Sequence, residues 1–418
     1  MSIKAQPEVQ KIEHIPFTQP LVFDVTPSVK LLWMKEVAND TARLELYFDA
    51  GLIREKNSIP KIVKALLLSG TNDQSSTEIQ EEIDGRGGFI DIDLGTEYAI
   101  INIYCLKDQL LPIANQVFTA IQNLAFKDSE IQDVLTSLSQ EFKVSKQKVK
   151  SVVGEAFRLH SFQDQEEYSW KTELEDFSEP RLARYKTFWK EYYLNGLIRM
   201  TLVGNTEQDE VDALIDLFGK WSKVGKPEYG SDFKSTPSRI HVPVQDAVQT
   251  AIRIGNFSVS KNDPDRHSFG LINTILGGYF GSRLMTNIRE DKGYTYGIGS
   301  GVMDYQNGTS FVIMTEVGNE VVDATLTEIK NEIERLKTEI LPQEELTLVK
   351  NYMMGQLLRS ADGPYAMLDL YNSVDMHDLT LDYYDQAILK INSITAEEIR
   401  DMARKYLNWD NFVITTAG

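Results

Sequence analysis

The chain has 418 residues, 42% of them apolar, which is enough for two or more domains with packed cores. Its formal charge of −19 argues against nucleic acid or an anionic membrane as the main partner and is compatible with basic peptides. The single cysteine, Cys105, excludes an internal disulfide framework and multi-cysteine zinc or iron–sulfur sites.

Cys105 sits in an apolar run and reads as a buried small hydrophobe rather than a nucleophile. No run of about 18 apolar residues occurs, so no membrane span is expected. The opening Met-Ser-Ile-Lys-Ala-Gln-Pro lacks the apolar core of a secretory signal, so the default expectation is the cytoplasm. A leader already removed would look the same and would place the protein in the periplasm.

Leu21–Val25 and Leu31–Lys35 read as short strands, and Ala42, Leu44, Leu46, Phe48 and Ala50 alternate with mostly polar residues as in a half-buried strand. Asn57-Ser58-Ile59-Pro60 is a helix start, with a capping side chain and Pro in the first turn, and the helix Lys61–Ser69 closes at Gly70-Thr71. Ser76–Asp84 is a second helix. Phe89–Leu106 contains two strands parted near Gly95, and the nearly continuous apolar content of the second suggests cover on much of both faces. Helices are expected at Leu110–Ala125 and Asp128–Lys150, then a polar, aromatic region around His160–Trp170, a helix Arg181–Tyr193 and a strand Leu197–Val203.

Gly, Pro, Ser and charges mix from Trp221 to Ser238, the composition of a linker. A strand Thr250–Gly255 and a helix Ser268–Leu276 follow, then a glycine turn and a short helix carrying Arg289. Strands around Tyr296–Val302 and Ser310–Thr315 precede helices at Val321–Glu339, Gln343–Arg359 and Met367–Met376. Thr395–Gly418 is a helix followed by a strand. The stretch from Tyr193 to Gly204 is echoed from Tyr406 to Gly418, and the helix–turn–strand passing Gly70 is echoed more weakly at Gly278. A repeat this long indicates duplication of a whole domain rather than a solenoid.

Leu276–Gly301, with its Leu-Gly-Gly, Ser-Arg-Leu and Arg-Glu-x-Lys-Gly-x-x-Tyr segments, resembles the C-terminal half of the zinc peptidases of the pitrilysin/insulinase type, peptidase family M16, which includes the mitochondrial processing peptidases. The resemblance implies an α+β fold of two homologous LuxS/metallohydrolase-like halves, each a mixed sheet backed by helices, paired as a clamshell around a chamber. It divides the chain into an N-terminal domain at 1–220, a linker at 221–238 and a C-terminal domain at 239–418. In compact two-subunit members an Arg and a Tyr seven residues apart grip the substrate backbone, and Arg289 and Tyr296 keep that spacing.

Active members carry His-x-x-Glu-His on a helix, two His binding zinc from one face and the Glu activating water. Here the frame is Lys61-Ile-Val-Lys-Ala-Leu-Leu-Leu-Ser-Gly-Thr71, so that Lys61, Lys64 and Ala65 stand at the two His and the Glu positions, Lys64 at the Glu. A protonated Lys has donors and no acceptor, and Ala65 supplies no ligand. Glu141 falls near the distant glutamate ligand of the family and reads as a solvated helix residue. His14, His160, His241, His267 and His377 show no i, i+3 or i+4 pair and read as surface or hydrogen-bonded residues. Gly281-Ser282-Arg283 lacks a nucleophile elbow, Gly277-Gly278-x-x-Gly281 is no dinucleotide fingerprint, and Gly297–Gly301 lacks the Lys-Ser/Thr of a phosphate loop.

Arg289 offers a planar fork suited to backbone carbonyls or a peptide carboxylate, and Tyr296 a hydroxyl able to donate to a developing oxyanion. The plain alternative pairs Arg289 with Glu290 or Asp291 and leaves Tyr296 as strand packing. The resemblance implies a subunit without a cofactor of its own, inactive alone, that binds peptides or unfolded segments for a homologous zinc-bearing M16 partner. Its rivals are a non-catalytic scaffold of the same fold and a peptide-binding homodimer.

Overall fold

Apolar residues at every second position of Thr41–Phe48 and Ala99–Leu106 turn one side of each strand inward, and the sheet built on them is the first of two. The computed structural model describes residues 12–35, 37–229 and 233–418. The opening segment and Gly230, Ser231 and Asp232 of the expected linker lie outside the described residues. The first sheet contains β1 (Leu21–Thr26), β2 (Val29–Met34), β3 (Thr41–Phe48), β4 (Phe89–Leu94), β5 (Ala99–Leu106) and β6 (Leu197–Val203), in the spatial order β1-β2-β6-β3-β5-β4. The second contains β7 (Ser238–Val242), β8 (Gln249–Phe257), β9 (Ile298–Tyr305), β10 (Gly308–Gly318) and β11 (Val413–Ala417), in the order β7-β11-β8-β10-β9.

Apart from β1, the two orders are the same. β2 runs parallel to β6 and β7 parallel to β11, while the remaining pairs are antiparallel, so both sheets are mixed. The echoed stretches of sequence form β6 and β11, which hold the same place in the two orders. Leu44, Leu46, Ile101, Ile103, Met200 and Leu202 build one core with the helices Ile59–Leu66 and Leu110–Gln122. Ile252, Ile254, Phe311, Ile313 and Ile414 build the other with the helices Arg266–Asn273, Val322–Thr338 and Gln343–Ser360.

The opposite face of each sheet is covered by a helix from the other half. The helix Gly363–Asp375 lies on β2 and β6, with Leu368 among Leu32, Met34 and Val203. The helix Val149–Ser161 lies on β8 and β11, with Val153 against Ala251 and Ala417, and Phe157 against Val312 and Val413. The single helix expected over Asp128–Lys150 is therefore two. Asp128–Lys146 ends at Gln147-Lys148, and the chain turns there to send Val149–Ser161, which includes His160, across the second sheet.

Other differences are local. Ser58 does not cap its helix: its φ of 57° is left-handed, and its hydroxyl donates to Asp176 at 3.0 Å instead. Trp221 is buried in the first core and Ser238 opens β7, so both ends of the linker-like stretch belong to packed structure. A helix at Asp382–Ser393 lay between the expected ones. Tyr104 on β5 is exposed, because the helix Gly363–Asp375 reaches β2 and β6 and stops short of that side. Cys105 is buried, and burial pushes its thiol up to about 12, as befits a packing residue. Among the described residues, no helix is long and apolar enough to cross a membrane.

Candidate functional site

Lys61, Lys64 and Ala65 lie on the helix Ile59–Leu66, held to the first core by Ile59, Ile62, Val63 and Leu66. Lys61 reaches inward and donates from Nζ to Thr172 Oγ1 at 2.9 Å. Burial, followed by the nearby Arg158, lowers the affinity of that ammonium for its proton, against the pull of Glu155 and Asp176. Lys146 pairs with Glu155 at 2.6 Å beside it. Ala65 is exposed, as is Glu141 on the helix Asp128–Lys146. A divalent cation needs converging lone pairs, and this corner presents ammonium and guanidinium groups. Lys61, Lys64 and Ala65 do not fit zinc. Among the described residues, no group of three His, Cys, Asp or Glu side chains could hold a metal ion.

The second group is built on the turn that follows the glycines. Met285 and Ile288 are buried and anchor a wide helical turn, Met285–Asp291, which carries Arg289. Gly293, with φ 66°, reverses the chain in a conformation that a side chain would strain, and its N–H closes on the Arg289 carbonyl at 3.2 Å. The next loop is pinned to β10. Thr295 Oγ1 donates to the Glu316 carbonyl at 2.7 Å, and Thr315 Oγ1 donates to the Gly297 carbonyl at 3.0 Å.

Between those anchors Tyr296 stands 93% exposed, just ahead of β9 rather than within it. The structure brings Arg289 and Tyr296 together: the guanidinium carbon lies 5.6 Å from the Tyr296 ring centre and 4.6 Å from that of the exposed Phe280. No acid among the described residues pairs with Arg289, so the expected alternative of Glu290 or Asp291 is not realised. A half-buried cation held against aromatic faces, with no acid on it, keeps its donors available.

Tyr296 also lines a cleft of about 380 Å³ between the helix Val149–Ser161 and the second sheet, together with Lys150, Arg253, Thr295 and Glu316. Arg253 was not singled out in the sequence. Its signal is a cation inside the apolar strand Thr-Ala-Ile-Arg-Ile-Gly, at a position where inward and outward residues alternate. A separate hollow of about 570 Å³ contains neither Arg289 nor Tyr296. Both of its arginines are paired within it, Arg283 with Glu345 at 2.8 Å and Arg335 with Glu332 at 2.9 Å.

Two mixed sheets in the same order and a helix exchanged across each define the class: an α+β protein of two similar halves. Residues 182–353 match the family described as "Peptidase M16 inactive domain". It is 24% identical over 320 residues to an "Uncharacterized zinc protease" of Rickettsia felis, covering 74% of this chain and 75% of that one. It is 20% identical over 362 residues to a "Probable inactive metalloprotease YmfF" of Bacillus subtilis, covering 83% of each. The fold matches a peptidase M16 inactive domain from Pseudomonas fluorescens with a TM-score of 0.83 at 21% identity, over 96% of this chain and 98% of that one.

Proposed function

We propose that this chain is the non-catalytic, substrate-holding subunit of a two-subunit M16 zinc peptidase, acting on peptides or unfolded segments with a homologous zinc-bearing partner. The observation that carries the reading is the contrast between its two motif regions. Lys61, Lys64 and Ala65 offer nothing to a metal, while the half-buried Arg289 stays beside the exposed Tyr296, without an acid that would occupy the guanidinium. A scaffold subunit has no need of an exposed Tyr on a loop pinned by two threonines beside an unpaired Arg.

In this reading the Arg289 fork and the Tyr296 hydroxyl hold backbone carbonyls of the bound segment, a mode that tolerates varied side chains. The partner supplies zinc and the activated water. The test is co-expression with zinc-bearing paralogues from the same source, followed by sizing and a peptide cleavage assay. The isolated chain is expected to bind no stoichiometric zinc and to cleave nothing. Arg289→Ala or Tyr296→Phe is expected to lower the activity of the assembled pair by about 10-fold or more, the scale on which a lost transition-state donor is felt. Full activity with both substitutions would leave the scaffold reading.

A further inference from the structure

Arginines on the faces where the two halves meet end on acceptors, with one exception. Arg43 bridges to Asp369 and lies 3.4 Å from Glu45. Arg199 meets Asp375 at 2.6 Å and Asn372 at 2.9 Å. Arg158 donates to the carbonyls of Trp170 and Tyr168 and lies 3.7 Å from the centre of the Trp170 ring. Arg253 is half-buried on β8, and among the described residues no carboxylate pairs with it and no acceptor takes its guanidinium hydrogens.

Burial lowers the proton affinity of Arg253, the direction expected for a cation removed from water without a counter-charge. Its position is supported from the other half. Gly154 on the helix Val149–Ser161 leaves room for the guanidinium, and a Cβ there would stand 3.1 Å from Cζ and from Nη2. The Tyr305 hydroxyl is close enough to both Arg253 and Arg158 to be influenced by their charges. The cleft in front of Arg253 carries the exposed Lys150 and one acid, Glu316, which stands opposite Ala251 on the neighbouring strand. Two cations thus face one carboxylate in a chain whose overall charge is −19.

We propose that this cleft is a carboxylate-binding subsite, with Arg253 as its bidentate anchor and Lys150 beside it, and that it receives the C-terminal carboxylate or an acidic side chain of the peptide held at Arg289 and Tyr296. The proposal rests on the peptide-holding part of the proposed function and names a chemical preference within it. A guanidinium fork matches two carboxylate oxygens, and the incoming charge supplies the counter-ion that the fold omits. Tyr296 lines the same cleft, so a bound segment can reach both groups.

The test is isothermal titration of the full chain with N-acetylated octapeptides: a neutral sequence as free acid, the same sequence as C-terminal amide, and the amide with one internal Glu or Gln. The free acid, the Glu peptide or both are expected to bind about 10-fold tighter than their neutral counterparts, and which of them does so identifies the source of the carboxylate. Arg253→Gln removes the preference, Arg253→Lys keeps part of it, and thermal unfolding of both variants confirms that they are folded. Equal binding of charged and neutral peptides, or a preference that survives Arg253→Gln, overturns the subsite and leaves the peptide-holding reading in place. If no peptide binds, both fall.

Discussion

On the first sheet, Arg43 and Arg199 reach the helix Gly363–Asp375 and end on Asp369 and Asp375. On the second, Arg253 reaches the helix Val149–Ser161 and meets the bare backbone of Gly154. The strand orders correspond, and so do the positions. Thr201 of β6 pairs with Glu45 of β3, and Thr415 of β11 pairs with Arg253 of β8, so an acid in one half answers to a base in the other. The first crossing is closed by ion pairs that fix the helix in place. The second is closed by apolar contacts of Val149, Val152, Val153 and Phe157, and its charge is left facing a cleft. The two faces correspond and both take a helix from the other half, but only the second leaves an arginine unpaired beside a cleft.

Removing the two cations separates these roles most sharply. Arg43→Met leaves Glu45 buried without its cation, and urea unfolding is expected to show a loss of about 3 kcal/mol, the lower end for an uncompensated buried charge. Arg253→Met removes a charge that has no partner, and its unfolding free energy is expected to stay within about 1 kcal/mol of the parent. Equal losses would end the comparison.

A smaller effect is expected at pH. Burial first, then Arg266 and Lys390, holds the His267 ring of the second half down to about 4. The unfolded chain takes up that proton near pH 6.5 while the folded chain does not, so stability falls as pH drops from about 6.5 to 4. His267→Gln is expected to flatten that part of the profile, measured as unfolding free energy at successive pH values.

Gly154→Ala sharpens the contrast with little change in stability. The gain in helix propensity, about 1 kcal/mol at most, is opposed by a Cβ 3.1 Å from the Arg253 guanidinium. Titration is expected to show affinity for free-acid peptides falling several-fold while affinity for the amides is kept. Tyr296→Ala is expected to move thermal unfolding least, within about 0.5 kcal/mol, because a side chain 93% exposed loses little packing.

Much of this architecture was legible along the chain. Alternation in Thr41–Phe48, the glycine turns and the echo between Tyr193–Gly204 and Tyr406–Gly418 identified strands, helix ends and duplication, because each is a local or repeated pattern. That Lys61, Lys64 and Ala65 supply no lone-pair cluster for a metal was equally plain, since it is a matter of residue chemistry. Less visible was the break at Gln147-Lys148, where no Gly or Pro interrupts the helical pattern and only packing on the second sheet favours a turn. Ser58 read as a cap by type, but Asp176, far along the chain, took its hydroxyl.

The sequence by itself determined what the chain's side chains are able to do: no imidazole stands at Lys61, Lys64 or Ala65, and an Arg and a Tyr keep a fixed spacing across a glycine turn. Only the tertiary structure decided which charges have partners. Pairing depends on elements hundreds of residues apart meeting within a few ångströms, so Arg43 found Asp369 while Arg253, in an equally apolar strand, found a glycine and an open cleft.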